Sequence, residues 1–218
     1  GSTMRILAVS DKVEPTLYNR AIKQHVGEID LILGCGDLPR YYLEYLVTML
    51  GGPLFYVIGN HANAVGKRYK AREEWEYPAG CVNIDGQGVR YRGLLIAGLE
   101  GSMRYNNNRH FQYSDQEMAF KMWGLTPRLV LNRFLYGRYL DILITHAPPE
   151  GIHDREDRCH QGFRTFLTFM ERFRPRYLLH GHVHVYSPFE ATETAYGDTH
   201  VVNVYGRHIL EIDEVSLR

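Results

Sequence analysis

Tyr177-Leu178-Leu179-His180-Gly181-His182-Val183-His184 is an apolar run that ends on Gly-His-X-His. The run reads as the close of a buried strand. In extended chain His182 and His184 project from the same side of the backbone, and Gly181 lets the chain turn sharply just before them. Histidine is the commonest metal ligand, so a strand that ends this way calls for partners at other strand ends.

The partners are there. Ile6-Leu7-Ala8-Val9 ends on Ser10-Asp11, Leu31-Ile32-Leu33 on Gly34-Cys35-Gly36-Asp37, and Leu54-Phe55-Tyr56-Val57-Ile58 on Gly59-Asn60-His61. Asp141-Ile142-Leu143-Ile144 ends on Thr145-His146. Helices are expected between the first three runs, at 16–26 and, opened by Pro39, at 42–50 ahead of Gly51-Gly52. Strand, helix and strand at this spacing predict an α/β fold with parallel strands, whose ligands bind outside the carboxyl ends.

Further along, the charged stretch 64–76 reads as helical, and Val82-Asn83-Ile84 and Val89-Arg90-Tyr91 around Asp85-Gly86 predict a hairpin. Ser114-Asp115-Gln116-Glu117 predicts a capping box that starts a helix to Tyr136, broken near Pro127. A helix is expected over 161–172, and segments 185–189, 199–205 and 208–212 read as a mainly antiparallel terminal sheet.

The chain has 218 residues, 44% hydrophobic and 23% charged, the size and balance of one compact soluble domain. Its 25 basic and 25 acidic residues cancel, which argues against electrostatic capture of long nucleic acid or of a membrane surface. Three cysteines, Cys35, Cys81 and Cys159, without a C-x-x-C pair argue against a disulfide framework and for a reducing cytoplasm. No apolar run is long enough to span a bilayer, and no signal peptide is evident. Gly1-Ser2-Thr3 ahead of Met4 reads as a cloning remnant and is left out of the fold reading.

In order, the strand-end residues are Asp11, Asp37, Asn60-His61, His146 and His182/His184: carboxylate, amide oxygen and imidazole, the donor set for two adjacent divalent ions. The ordered motifs resemble those of the calcineurin-like metallophosphoesterase superfamily over essentially the whole chain. Asp11-Lys12-Val13 stands for D-x-H, Gly36-Asp37 for G-D, Gly59-Asn60-His61-Ala62 for G-N-H-[DE], His146 for the lone histidine and Gly181-His182-Val183-His184 for G-H-x-H.

The resemblance implies a single domain over 4–218, a four-layer αββα sandwich with a dinuclear metal site at the carboxyl ends of its strands. It implies that Asp37 bridges the metals, that Asp11 and His184 serve one, and that Asn60, His146 and His182 serve the other. His61 would stabilise charge at phosphorus or protonate the leaving oxygen. Manganese is the expected ion, with iron, zinc, nickel and cobalt as alternatives, and the expected reaction is attack of a metal-bridging hydroxide on a small phosphate ester.

Two positions depart from the pattern. Val13 replaces the histidine of D-x-H and offers no donor, so one metal site is expected to be the weaker, with Glu14 as a substitute ligand. Ala62 replaces the acid that would orient His61. Some relatives with degenerate sites act as scaffolds, so a non-catalytic interaction module is the rival expectation and a phosphomonoesterase the second. A small phosphodiester, nucleotide-like or organic, is the favoured substrate. Arg104 and Arg109 offer a clamp for a second phosphate, with Tyr105, His110, Phe111 and Tyr113 as stacking faces for a base. His146-Ala-Pro-Pro, Asp154, His160-x-Gly162 and Gly197-x-Thr199 recur in small members of the superfamily, which makes His160 a candidate contact for substrate or for the metal shell.

Overall fold

Ile6, Leu7, Ala8 and Val9 are all sealed from solvent, although successive side chains of a strand point to opposite faces. Both faces of this strand therefore need a cover, and the covers define the layers. The computed structural model describes residues 2–61 and 77–217; the helix expected over 64–76 and the side chain of Ala62 lie outside them.

In the first sheet β1 (Thr3–Ser10), β2 (Leu31–Gly34), β3 (Leu54–Tyr56) and β4 (Cys81–Asn83) run parallel in that order. The second sheet contains β5 (Gly88–Tyr91), β6 (Leu94–Leu99), β9 (Ile142–Thr145), β10 (Tyr177–His180), β11 (Glu193–Tyr196) and β12 (Thr199–Asn203). Its centre, β12-β10-β9-β6, is parallel, and β11 and β5 close its edges antiparallel. The pair β7 (Ser102–Met103) and β8 (Gln112–Tyr113) stands apart, and β13 (Gly206–Asp213) returns to the first sheet beside β1.

Alternation sorts the apolar residues into three seams. Ile6, Ala8, Leu31 and Leu33 meet Ile96, Ile142, Ile144, Leu179 and Val202 between the sheets. Leu7, Val9 and Ile32 turn outward onto α1 (Ile22–Val26) and α2 (Arg40–Leu50), against Ile22, Tyr42, Leu43 and Leu46. Leu95, Ala97, Leu143, Leu178 and Val201 pack on α3 (Asp115–Tyr136) and α4 (Arg164–Phe173), against Met118, Met122, Leu125, Phe166 and Phe169. Helix, sheet, sheet, helix is the αββα sandwich. Truncating one of these buried leucines to alanine would cost about 2–5 kcal/mol.

Several local expectations need correction. The helix expected over 16–26 shrinks to Ile22–Val26, because Asn19 Oδ1 accepts the Ala21 N–H at 2.8 Å and holds the chain in a turn. Val82 and Val89 form no hairpin: β4 joins β3, β5 joins β6, and Asp85-Gly86 is where the chain crosses between sheets. Helix α3 runs unbroken through Pro127, which lies on its exposed side. Its capping box forms as expected.

The terminal strands are not one antiparallel sheet. β12 lies parallel to β10, while 185–189 is irregular. Thr3, set aside in the sequence reading, pairs with Asp213 at the start of β1. Among the described residues no helix is long and apolar enough to cross a membrane. Helix α3 leaves Phe120, Trp123 and Phe134 exposed on its outer side.

Candidate metal centre

Parallel strands in both sheets end on the same rim, and the sequence-predicted donors sit there. β1 ends at Asp11, β2 leads to Asp37 and β3 to Asn60-His61; across the sandwich β9 ends at His146 and β10 at His182 and His184. Asp11 (φ 63°), Asp37 (φ 56°) and His182 (φ 68°) all adopt the left-handed conformation that L-residues disfavour. Each costs about 1–3 kcal/mol, held by the surrounding structure. Glycines make room for them. A Cβ on Gly59 would lie 2.0 Å from Asp37 Oδ1, and one on Gly181 would lie 1.9 Å from Ser10 Oγ and 2.3 Å from Asp11 Oδ2.

His146 is the hub. Its ring is fully buried, and Nδ1 donates to the Cys35 carbonyl at 2.7 Å. Nε2 therefore faces Asn60 Oδ1 at 3.1 Å, Asp37 Oδ2 at 3.2 Å and Asp11 Oδ1 at 4.0 Å. Burial alone would lower the His146 pKa, but the Asp37 and Asp11 carboxylates outweigh it and raise it to about 9. The same ion pairing holds Asp37 and Asp11 below the usual carboxylate range against the opposing effect of burial. Only the Asn60 and Asp37 oxygens lie within hydrogen-bond reach of Nε2; Asp11 Oδ1 stands beyond it.

The remaining donors are oriented by what their other atoms touch. His182 Nε2 donates to the Cys159 carbonyl at 2.7 Å, which leaves the Nδ1 lone pair open. Burial and the nearby His146 charge press the His182 pKa down to about 3, keeping it neutral as a ligand must be. Ligand atoms of Asp37, His146 and His182 lie within 4.8 Å of one another. Asp11 Oδ2 accepts the His182 backbone N–H at 2.7 Å, while Oδ1 is buried with no hydrogen-bond partner among the described residues. His184 places Nε2 3.6 Å from that oxygen, its ring stacked on Tyr205 with centroids 4.8 Å apart; the nearby Asp11 carboxylate raises its pKa.

These observations fit divalent cations. An orphaned carboxylate oxygen, and an imidazole nitrogen crowded by carboxylate and amide oxygens, present electron pairs toward one small space. Carboxylate, amide oxygen and imidazole together suit manganese, iron or zinc.

Other predicted residues fall outside this space or on its edge. Glu14 Oε1 pairs with Lys12 Nζ at 3.3 Å, and Val13 packs half-buried against the apolar seam beneath α1 and α2. His61 is exposed at the rim; its backbone N–H donates to Asp37 Oδ1 at 3.0 Å and its Nε2 lies 3.9 Å from Asp37 Oδ2. Arg104 is engaged by Glu117 at 2.7 Å, and Arg109 stands on the exposed loop. His160 donates from Nδ1 to Asp157 at 2.7 Å and brings its ring within 4.8 Å of His182.

Sequence reasoning missed the supporting contacts. Ser10 Oγ bonds Asp11, and Asn60 Nδ2 donates to Tyr105 Oη at 3.2 Å, which turns the amide oxygen toward His146. The sequence offers Tyr105 only as a stacking face; nothing in its polar loop signals a role as a positioning group. Buried His180 bonds His153 at 2.9 Å, a pairing that backbone spacing could not reveal.

Comparison with known proteins bears on this arrangement. No curated protein sequence matches the chain. One solved structure superposes with a TM-score of 0.65 at 17% identity, covering 96% of this chain and 95% of its own. The protein TT1561 of Thermus thermophilus gives a TM-score of 0.62 at 17% identity over 100% of this chain and 97% of its own. A single-mutant Vps29 from Entamoeba histolytica gives 0.42 at 12% identity over 92% and 73%, too low to bear on the fold. At these identities the structures speak for the fold alone, but the calcineurin-like phosphoesterase profile matches residues 4–186, which span the strand-end donors from Asp11 to His184. The chain belongs to the calcineurin-like phosphoesterase family.

Proposed function

We propose that the protein is a metal-dependent phosphoesterase that hydrolyses a small phosphodiester. The observation that carries this reading is the buried Asp11 Oδ1, without a hydrogen-bond partner among the described residues, which faces the Asp37, Asn60 and His146 cluster across the two sheets. Asp11 and His184 would hold one divalent ion, Asn60, His146 and His182 another, with Asp37 between them. When bound, such ions supply Lewis acidity toward phosphate oxygens and an activated water. The protein's own part is placement. Cys35 and Cys159 carbonyls fix two imidazoles, Tyr105 fixes the Asn60 amide, and Asp37 is braced by the His61 backbone. The exposed His61 ring stands over the rim, where it can give a proton to the departing oxygen. Among the described residues Arg104 is tied to Glu117 and Lys12 to Glu14, so the positive charge these supply near the donors is modest. That suits the single charge of a diester better than the dianion of a monoester.

The decisive experiment incubates protein with Mn²⁺ and a matched pair of aryl phosphate mono- and diesters. Diester turnover that vanishes with chelator and in Asp37→Ala supports the reading; full turnover by metal-free protein overturns it. A second reading, an interaction module, is favoured by Val13 and by the exposed Phe120, Trp123 and Phe134 of α3. Metal-loaded protein that turns over neither ester, yet associates through that face and loses association in Phe134→Asp, would support it.

A further inference from the structure

We propose that Cys159, His160 and His182 form an additional metal site, selective for a soft divalent ion such as Zn²⁺, which shares His182 with the Asp37–His146 cluster. One ligand atom from each of the three residues lies within 4.8 Å of the others. Cys159 Sγ is 3.9 Å from His182 Nε2. Sulfur and nitrogen bound to one tetrahedral zinc at ordinary bond lengths stand about 3.6 Å apart, so this pair needs to close by only a few tenths of an ångström.

The tautomers agree with this assignment. His160 Nδ1 donates to the Asp157 carboxylate at 2.7 Å, leaving the lone pair on Nε2. A carboxylate behind a histidine in this way is the usual support of a zinc ligand. His182 Nε2 points to the Cys159 side, where it meets both the carbonyl and Sγ, while its Nδ1 remains for the neighbouring cluster. An ion at Cys159 would take the place of the Nε2 proton, so one imidazole can serve both sides. Cys159 and His160 are only half-buried, which gives an ion a path in. Two imidazoles and a thiolate leave a fourth position for water, and the thiolate selects zinc over manganese or magnesium.

Titration of the metal-free full chain with Co²⁺ tests this through the near-ultraviolet sulfur-to-cobalt absorption, with no reference to ester hydrolysis. The band is expected in wild type and in Cys81→Ser, and at least tenfold weaker in Cys159→Ser. A band that persists in Cys159→Ser, or none in wild type at saturating Co²⁺, overturns the proposal. Should Cys159→Ser fold poorly, alkylation of wild type by iodoacetamide, mapped by peptide mass spectrometry, decides instead. Zn²⁺ is expected to slow modification of Cys159 at least tenfold and leave Cys81 unchanged; equal rates with and without Zn²⁺ at Cys159 refute the site. Neither measurement depends on phosphoesterase activity, so this proposal and the proposed function stand or fall separately.

Discussion

Asp11 at the end of β1 accepts the backbone N–H of His182 at the end of β10, at 2.7 Å, and so ties the two sheets together at the rim. The second oxygen of the same carboxylate is buried without a hydrogen-bond partner among the described residues. One side chain therefore does two jobs, and Asp11→Asn separates them. The amide oxygen can still accept from His182, but an N–H₂ group then faces the space where a cation would sit. Asp11→Asn is expected to melt within a few degrees of wild type and to hold at least one metal fewer per chain. Metal content by mass spectrometry checks it, and an undiminished content would show that Asp11 is no ligand.

Val13 sits where the family pattern has histidine, and it packs against the apolar seam instead. The Asp11 site then has one strong donor fewer and should exchange its ion more readily. Val13→His is expected to raise occupancy and to move activation to lower free Mn²⁺. Glu14→Ala is expected to change neither, since Glu14 is paired with Lys12. A sharp loss of metal in Glu14→Ala would make Glu14 the substitute ligand.

His61→Ala removes an exposed ring and keeps the backbone N–H that braces Asp37 at 3.0 Å. Metal content should therefore stay, while turnover falls by roughly 10²–10⁴, the range for loss of a positioned acid. Loss of metal in this variant would reassign His61 as a ligand.

Much of this was legible because it is written in strand runs. Ile6–Val9 and Leu31–Leu33 are apolar throughout, which marks strands covered on both faces, and each hands its chain on to a donor. What was not legible depends on partners far along the chain. Nothing local tells Val82 to join β3 and Val89 to join β6, because both fit a half-buried strand. Asn19 ends the expected helix through one side-chain bond that periodicity does not register. Tyr105 meets Asn60, and Cys159 meets His182, only after loops without any repeat have folded back on the rim.

Gly181→Ala tests the packing at the rim. The added methyl would fall 1.9 Å from Ser10 Oγ and 2.3 Å from Asp11 Oδ2, so the Asp11–His182 tie must give way. Overpacking of this kind costs about 1–3 kcal/mol. The variant is expected to lose that much in urea unfolding and to bind metal more weakly than wild type. Unchanged stability and metal content would mean that the rim is looser than its contacts indicate.

Glu100, at the end of β6, supplies a pH dependence that involves none of the proposed metal ligands. Its Oε1 accepts from Tyr113 Oη at 2.6 Å, with Lys121 Nζ 3.9 Å away. Burial first and the Asp85 charge second raise its pKa from the ordinary 4.5 to about 7. Between those values the unfolded chain gives up the proton while the folded chain keeps it. Stability is therefore full below about pH 4.5 and falls as pH rises through 7, by on the order of 3 kcal/mol. Glu100→Gln keeps an acceptor for Tyr113 and cannot ionise. Its unfolding free energy, measured in urea, should gain on wild type by that amount between pH 4.5 and pH 8. A difference between the two proteins that does not change with pH would show that the Glu100 proton leaves as readily in the folded chain as in the unfolded one.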